Sequence, residues 1–305
     1  RHQLSRIDMG AYESPHINLQ GHIDTTSNNG ILELPAGTYH IATALSIPND
    51  KNITIRGLGA GVTIQQTVTA PSATGRVLTV GTNVTNCTAG VTLENITITG
   101  GKVTGAGGGI YVFRHCSLTL IDSRVINNSA SARGGGINLG DEAAPTAPRT
   151  HSFTMINTEV SGNTAGNHGG GIMIGNGYSS HIFRGEIANN SSATSGGGIM
   201  DWINAPGYVR GTTFRNNIAN SNPNHVAYAT GGGQGQLDIQ GNYWETFLST
   251  TGFVTAPGNP CPDATCKIQL TMGRLGSGTG SVTLAHNTAG DPGYTAILNK
   301  LAELS

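Results

Sequence analysis

The element Gly-Gly-Gly-Ile occurs four times, with its isoleucine at Ile110, Ile137, Ile172 and Ile199, at spacings of 27, 35 and 27 residues. A fixed period constrains a fold more than any local propensity, because each repeat must be one structural unit that buries its apolar side against its neighbours. The long spacing holds eight extra residues, Asp141 to Pro148, whose two prolines and small side chains read as a surface loop. Asparagine recurs in the same frame. Asn128, Asn163 and Asn190 each precede the next isoleucine by nine residues, and Asn217 continues the series with Val226 in the isoleucine place. Gly101 holds the place before Ile110; three residues before this column stand Ile98, Val125, Val160, Ile187 and Phe214, and eight before it stand Leu93, Leu120, Met155, Ile182 and Val209. Every member of both columns is apolar.

A unit of 27 residues with short β-type runs is too short for a βαβ crossover of about 30 residues or more, and suits one coil of a solenoid. The expected fold is therefore all-β: a single-stranded right-handed parallel β-helix with coils of about 27 residues. Apolar columns would fill its interior. Asn128, Asn163, Asn190 and Asn217 would form a buried turn ladder, since a side-chain amide both donates and accepts along the stacking axis. The glycine triplets would permit positive φ at a sharp corner. Residues 1–30 read as an N-terminal strand or cap segment, 31–247 as the β-helix, and 248–305 as a C-terminal loop, hairpin and capping helix. The hairpin is Lys267 to Met272 with Gly280 to Leu284. The helix signal is Asp291 as cap, Pro292 at the first position, and an apolar stripe of Ile297, Leu298, Leu301 and Leu304.

Composition narrows the function. Charged residues are 11% of the chain and the net charge is −1, so nucleic acid is not an expected partner. Glycine is 46 of 305 residues, yet recurrent Val, Ile and Leu runs exclude a disordered glycine-rich chain. No apolar run reaches about 18 residues and the first residues open no signal-like segment, so no transmembrane segment and a soluble or already processed chain are expected. Cys87, Cys116, Cys261 and Cys266 do not form tight C-x-x-C zinc pairs. Cys87 and Cys116 stand 29 residues apart, about one repeat, and suit a disulfide between adjacent coils; Cys261 and Cys266 suit a small loop disulfide. Disulfides point to an oxidising compartment, with buried free thiols the alternative. Sequons such as Asn52-Ile-Thr and Asn95-Ile-Thr carry almost no weight in a chain so rich in Asn and Thr.

The Gly-Gly-Gly-Ile elements and Phe214-Arg-Asn-Asn217 resemble the GGAI and FxxN repeats of chlamydial polymorphic outer-membrane proteins and of the wider bacterial parallel β-helix group, over residues 91 to 230. The other units have Val or Ile where that family prefers Phe. Arg6-Ile-Asp-Met-Gly-Ala-Tyr-Glu13 resembles a D-I-G-A-[FY]-E segment found where β-helix domains end in large secreted surface proteins, although here it stands at the beginning. That position suggests either a piece of a tandem β-helix or a displaced strand, with Asp8, Gly10, Tyr12 and Glu13, that pairs with a neighbouring subunit. Gly241-Asn-Tyr-Trp244 resembles the closing motif of periplasmic β-helix repeat proteins and marks the last coil.

Chemistry is sparse. An outward strip carries Asp122, Arg124, Glu159, Arg184 and Glu186, which could supply acid and base for cleaving an acidic glycan. The favoured alternative is a cross-strand ion ladder, Arg124 beside Glu159 and Arg184 between Glu159 and Glu186. Asp201 and Trp202 break an apolar column and form a candidate glycan-binding pair, with a local corner distortion as the blander reading. Arg133 and His168 read as solvated turn residues, and His151 and His181 lack ligand-spaced companions. No cofactor or metal is expected. The expected function is an extracellular or cell-surface structural or adhesive β-helix without catalysis, self-assembling head to tail if the N-terminal strand serves a neighbour. The alternatives are a polysaccharide lyase or glycoside hydrolase, and a tailspike-like glycan-binding adhesin.

Overall fold

The computed structural model describes residues 4–6, 17–82, 87–140, 151–175, 177–202, 207–220, 226–229, 236–238, 243–244, 274–275 and 281–283. Among them the chain is almost wholly β, stacked as parallel rungs into a parallel β-helix. Each regular coil repeats one course. Ser117–Ile121 runs into Arg124–Ile126, then the short Ser129–Ala130, then Ile137–Leu139. The first two join a long sheet, and the others join a five-stranded and an eight-stranded sheet.

Two rows of left-handed residues make the first corners. Asn95, Asp122, Asn157 and Arg184 have φ of 55°, 49°, 48° and 50°, and Asn127, Asn189 and Asn216 have φ of 55°, 55° and 50°. Asparagine and aspartate tolerate this region because their short polar side chains bond locally. In the early coils Gly30–Ile41 and Ile53–Gln66 run as long strands. The second of these pairs with both Gly90–Glu94 and Thr97–Thr99, so the Asn95 corner is where one strand becomes two.

The glycine triplet is needed for two separate reasons. Its first member, Gly134 in one coil, has φ of 58°. Its third, Gly136, has ordinary φ, but an added Cβ would lie 2.7 Å from the Gly171 carbonyl oxygen and 2.9 Å from Asn163 Nδ2. The coils are thus too close at this corner for any side chain.

The Asn column is the buried ladder expected. The Asn163 amide Nδ2 donates to Asn190 Oδ1 at 3.0 Å and to the Val125 carbonyl at 2.9 Å, and the Asn163 backbone N–H donates to the same Asn190 oxygen. Asn128 repeats the pattern on Asn163, and Asn190 on Asn217. A second ladder runs inside the first corner, where the Ser123 N–H donates to Thr158 Oγ1 and the Gly185 N–H to Thr212 Oγ1. Leu93, Leu120, Met155, Ile182 and Val209 are buried, as are Ile98, Val125, Val160, Ile187 and Phe214. Burying each such side chain contributes about 1.5–3 kcal/mol. Cys87 and Cys116 form the disulfide between adjacent coils.

At the N-terminal end Leu4–Arg6 pairs in parallel with Gly30–Ile41 of its own chain, Leu4 opposite Ile31. Asp8, Gly10, Tyr12 and Glu13 lie outside the described residues. A short helix, α1 (Leu19–Thr25), is capped by Asn18 and seats Leu19 and Ile23 in the core. Tyr243–Trp244 extends the stack on Thr213–Arg215. Ser281–Thr283, expected as one arm of a hairpin, lies parallel on Gln236–Asp238, and Arg274–Leu275 lies parallel on Val226–Ala229. Strands of the stack therefore occur beyond residue 247. The other hairpin arm, the C-terminal helix, Cys261 and Cys266, and the loop at 141–150 lie outside the described residues.

Candidate functional site

The outward row of the long sheet brings Thr97, Arg124, Glu159, Glu186 and Thr213 into register on successive coils. Rungs of such a sheet stand about 4.8 Å apart, so charged side chains in one row must find partners across rungs. Arg124 Nε donates to Glu159 Oε2 at 2.7 Å. Glu186 takes Arg215 as partner, with Nε to Oε1 at 2.7 Å. On the earlier coils Arg56 pairs with Glu94 and reaches Glu33 at 4.0 Å. Burial pushes the Glu159 carboxyl up, but hydrogen bonds from Arg124 and Ser161 and the charges of Arg124 and Arg215 hold it below the ordinary glutamate value overall.

Arg184 does not stand between Glu159 and Glu186. It occupies the left-handed corner, and its guanidinium lies 4.7 Å from the Phe183 ring centroid. The left-handed corner interrupts the strand alternation that would have set its side chain in the glutamate row. Asp122 shares that corner row and accepts from Asn157 Nδ2.

Asp201 is likewise corrected. It is 5% exposed and faces the interior, in register with Ile174 below and Tyr228 above. Burial raises its carboxyl from 3.8 to about 8. It does not turn outward. The Trp202 side chain lies outside the described residues. His168 and Arg133 are half-buried, and His168 Nδ1 lies 2.8 Å from Thr194 Oγ1. His151 is 3% exposed between the rings of His115 and Tyr178, while His181 stacks on Tyr208. Among the described residues no group of three His, Cys, Asp or Glu side chains is placed to hold a metal ion.

A feature not singled out in the sequence lies at the first corner. Gly57 to Gly61 forms an arch where the pairing of Gly30–Ile41 with Ile53–Gln66 slips, and Gly59 and Gly61 have φ of 80° and 85°. Asn95 Nδ2 donates to the carbonyls of Gly57 and Gly59 and fixes the arch to the next coil. Beneath it opens a groove of about 350 Å³ lined by Thr63, Thr97, Thr99, Asp122, Arg124 and Ile126 among others. The run Gly57-Leu-Gly-Ala-Gly61 was its sequence signal. The same geometry occupies two sequon asparagines, because Asn52 Oδ1 accepts from the Gly90 N–H while Asn95 holds the arch.

No protein-family model matches this chain, and no curated protein matches it in sequence.

Proposed function

We propose that this chain is a non-catalytic surface β-helix, secreted or cell-attached, that works by presenting its rigid outer face for adhesion. The observation that carries this reading is the pairing of the outer carboxylates. Glu159 and Glu186, the best candidates for acid and base, each hold an arginine from a neighbouring coil position. A general acid needs a raised pKa, whereas Glu159 is held low. Asp201, the carboxyl found raised among the described residues, is enclosed in the core. The Cys87–Cys116 bond favours an oxidising compartment. The kinship with polymorphic outer-membrane repeats remains part of the proposal, supported by in-register Gly-Gly-Gly-Ile corners and the Asn ladder. Head-to-tail assembly through the segment that holds Asp8, Gly10, Tyr12 and Glu13 stays a secondary part of the proposal, and the strand Leu4–Arg6 just before it lies on its own chain.

The test uses the folded chain and its Glu159→Gln/Glu186→Gln variant. Both are incubated with neutral and uronate-bearing polysaccharides, and products are followed by mass spectrometry, while fluorescently labelled protein is scored for attachment to cells. Attachment by both proteins without new chain ends is expected. Cleavage by the parent that the folded variant lacks would establish the lyase or hydrolase reading instead.

A further inference from the structure

We propose that the groove under the Gly57 to Gly61 arch is a binding site for a neutral glycan, with Thr63, Thr97, Thr99, Asp122 and Arg124 as its polar contacts. The inference rests on the surface-adhesion reading above and names the ligand class and its place.

The first support is the state of the hydroxyls. Thr63 and Thr97 are in-register neighbours on adjacent rungs, and Thr99 follows Thr97 on the same outward face. Their hydroxyls make no hydrogen bond to any other described residue. This differs from the two internal ladders, where the described side-chain amides and most of the hydroxyls are engaged along the axis. Rungs about 4.8 Å apart and alternate residues about 6.6 Å apart set these hydroxyls on a fixed lattice. A hydroxyl both donates and accepts, which matches the hydroxyls of a sugar ring.

The second support is the shape. The arch gives the groove a wall that a regular coil lacks, and the Asn95 amide pins that wall. Val62 and Ile96 are buried beneath the floor, and half-buried Ile126 gives an apolar patch beside the polar groups. A small set of fixed polar groups over an apolar floor is the usual composition of a small-ligand site.

The charge pattern decides between glycan classes. Arg124 is the cation of the groove lining and Asp122 its carboxylate, and Arg124 Nε is already held by Glu159. An acidic sugar would meet one carboxylate and an arginine already paired, with no net positive charge to hold it. A neutral sugar meets an acceptor in Asp122, a donor in the outer nitrogens of Arg124, and three hydroxyls. The Arg124–Glu159 pair then orients the guanidinium rather than binding an anion.

The test measures binding of the purified chain to immobilised neutral oligosaccharides of hexose and N-acetylhexosamine beside uronate-bearing ones, followed by calorimetry on the best binder. The variants are Thr97→Val/Thr99→Val, which keeps β-branched side chains, and Asp122→Asn, which keeps a residue suited to positive φ. Thr164→Val, exposed on the five-stranded sheet, is the control. Circular dichroism melts verify that each variant folds. Neutral-glycan binding that falls at least tenfold in both groove variants and is unchanged in the control is the expected result. Binding confined to uronate glycans, neutral binding indifferent to the groove variants, or no glycan binding at millimolar concentrations each overturns the site. Attachment to cells together with any of these leaves the adhesion reading standing and removes only the groove; loss of cell attachment as well removes both.

Discussion

Replacing Asp201 by Asn should make the protein more stable at neutral pH, by an amount that depends on pH in a specified way. In the fold Asp201 occupies an inward position continuous with Leu139 and Ile174, and burial lifts its carboxyl from 3.8 to about 8. Between these values the native state holds a proton that the unfolded chain releases. Stability therefore falls as pH rises from about 4, at about 1.4 kcal/mol per pH unit, and levels off near pH 8. At pH 7 the accumulated loss is about 4 kcal/mol, an upper figure because unfolded chains retain structure. Below pH 4 the protonated acid carries no such penalty. Asp201→Asn has no proton to bind, so the variant's advantage should grow from near zero at pH 4 to several kcal/mol at pH 8. Urea unfolding followed by far-ultraviolet circular dichroism at pH 4, 6 and 8 gives the three differences. A solenoid can melt from one end, so amide exchange near residues 199–202 should be read alongside. A difference between the two proteins that stays constant across this range would refute the reasoning, because the carboxyl would then be ionised and partnered in the fold.

Other perturbations follow from the same packing. Asn163→Ala removes the acceptor of the Asn128 N–H and amide and a donor to the Val125 carbonyl, and should lower stability by about 3 kcal/mol or more, measured as a shift in urea midpoint. Gly136→Ala should cost about 2–3 kcal/mol by overpacking against the next coil, whereas Gly61→Ala, with open space around its Cβ but positive φ, should cost about 1 kcal/mol; equal shifts in melting temperature would contradict this distinction. Breaking Cys87–Cys116, a closed loop with sequence separation 29, should cost about 3–4 kcal/mol, seen by comparing melts of Cys87→Ser/Cys116→Ser with the parent.

What could be read in advance depended on repetition. The Asn ladder and the apolar columns were visible because stacking places like on like, so a residue's role in one coil is repeated in the next. The pairing of Cys87 with Cys116 was legible for the same reason, their separation being close to one period. Asp201 was misread because a charged residue was expected to turn outward. The backbone register set by Ile199 in the row Ile137–Ile172–Ile199 holds it inward, and neutralisation lets it stay. Arg184 was placed by strand alternation, which fails where the chain turns left-handed. Its column companions Asn95, Asp122, Asn157 and Gly211 were the available sign of such a turn. The hydroxyl ladder of Ser123, Thr158 and Thr212 escaped notice because Gly185 interrupts it. There an added Cβ would lie 2.5 Å from Met155 Cε, so a larger core residue takes the space. The groove was hidden for a different reason, since the arch that walls it belongs to one irregular coil and repeats nowhere. Likewise α1 carried a sign, Asn18 before Leu19 and Ile23, but lay outside the repeat frame.

The proposal that the outer carboxylates hold coils together rather than perform chemistry can be tested at one atom group. A carbon-13 NMR titration of the Glu159 side-chain carboxyl, in the parent and in Arg124→Ala, reads its ionisation directly. The parent should titrate below an ordinary glutamate and move upward when Arg124 is removed. A Glu159 that titrates above the ordinary value in the parent, as a proton donor would, contradicts the account.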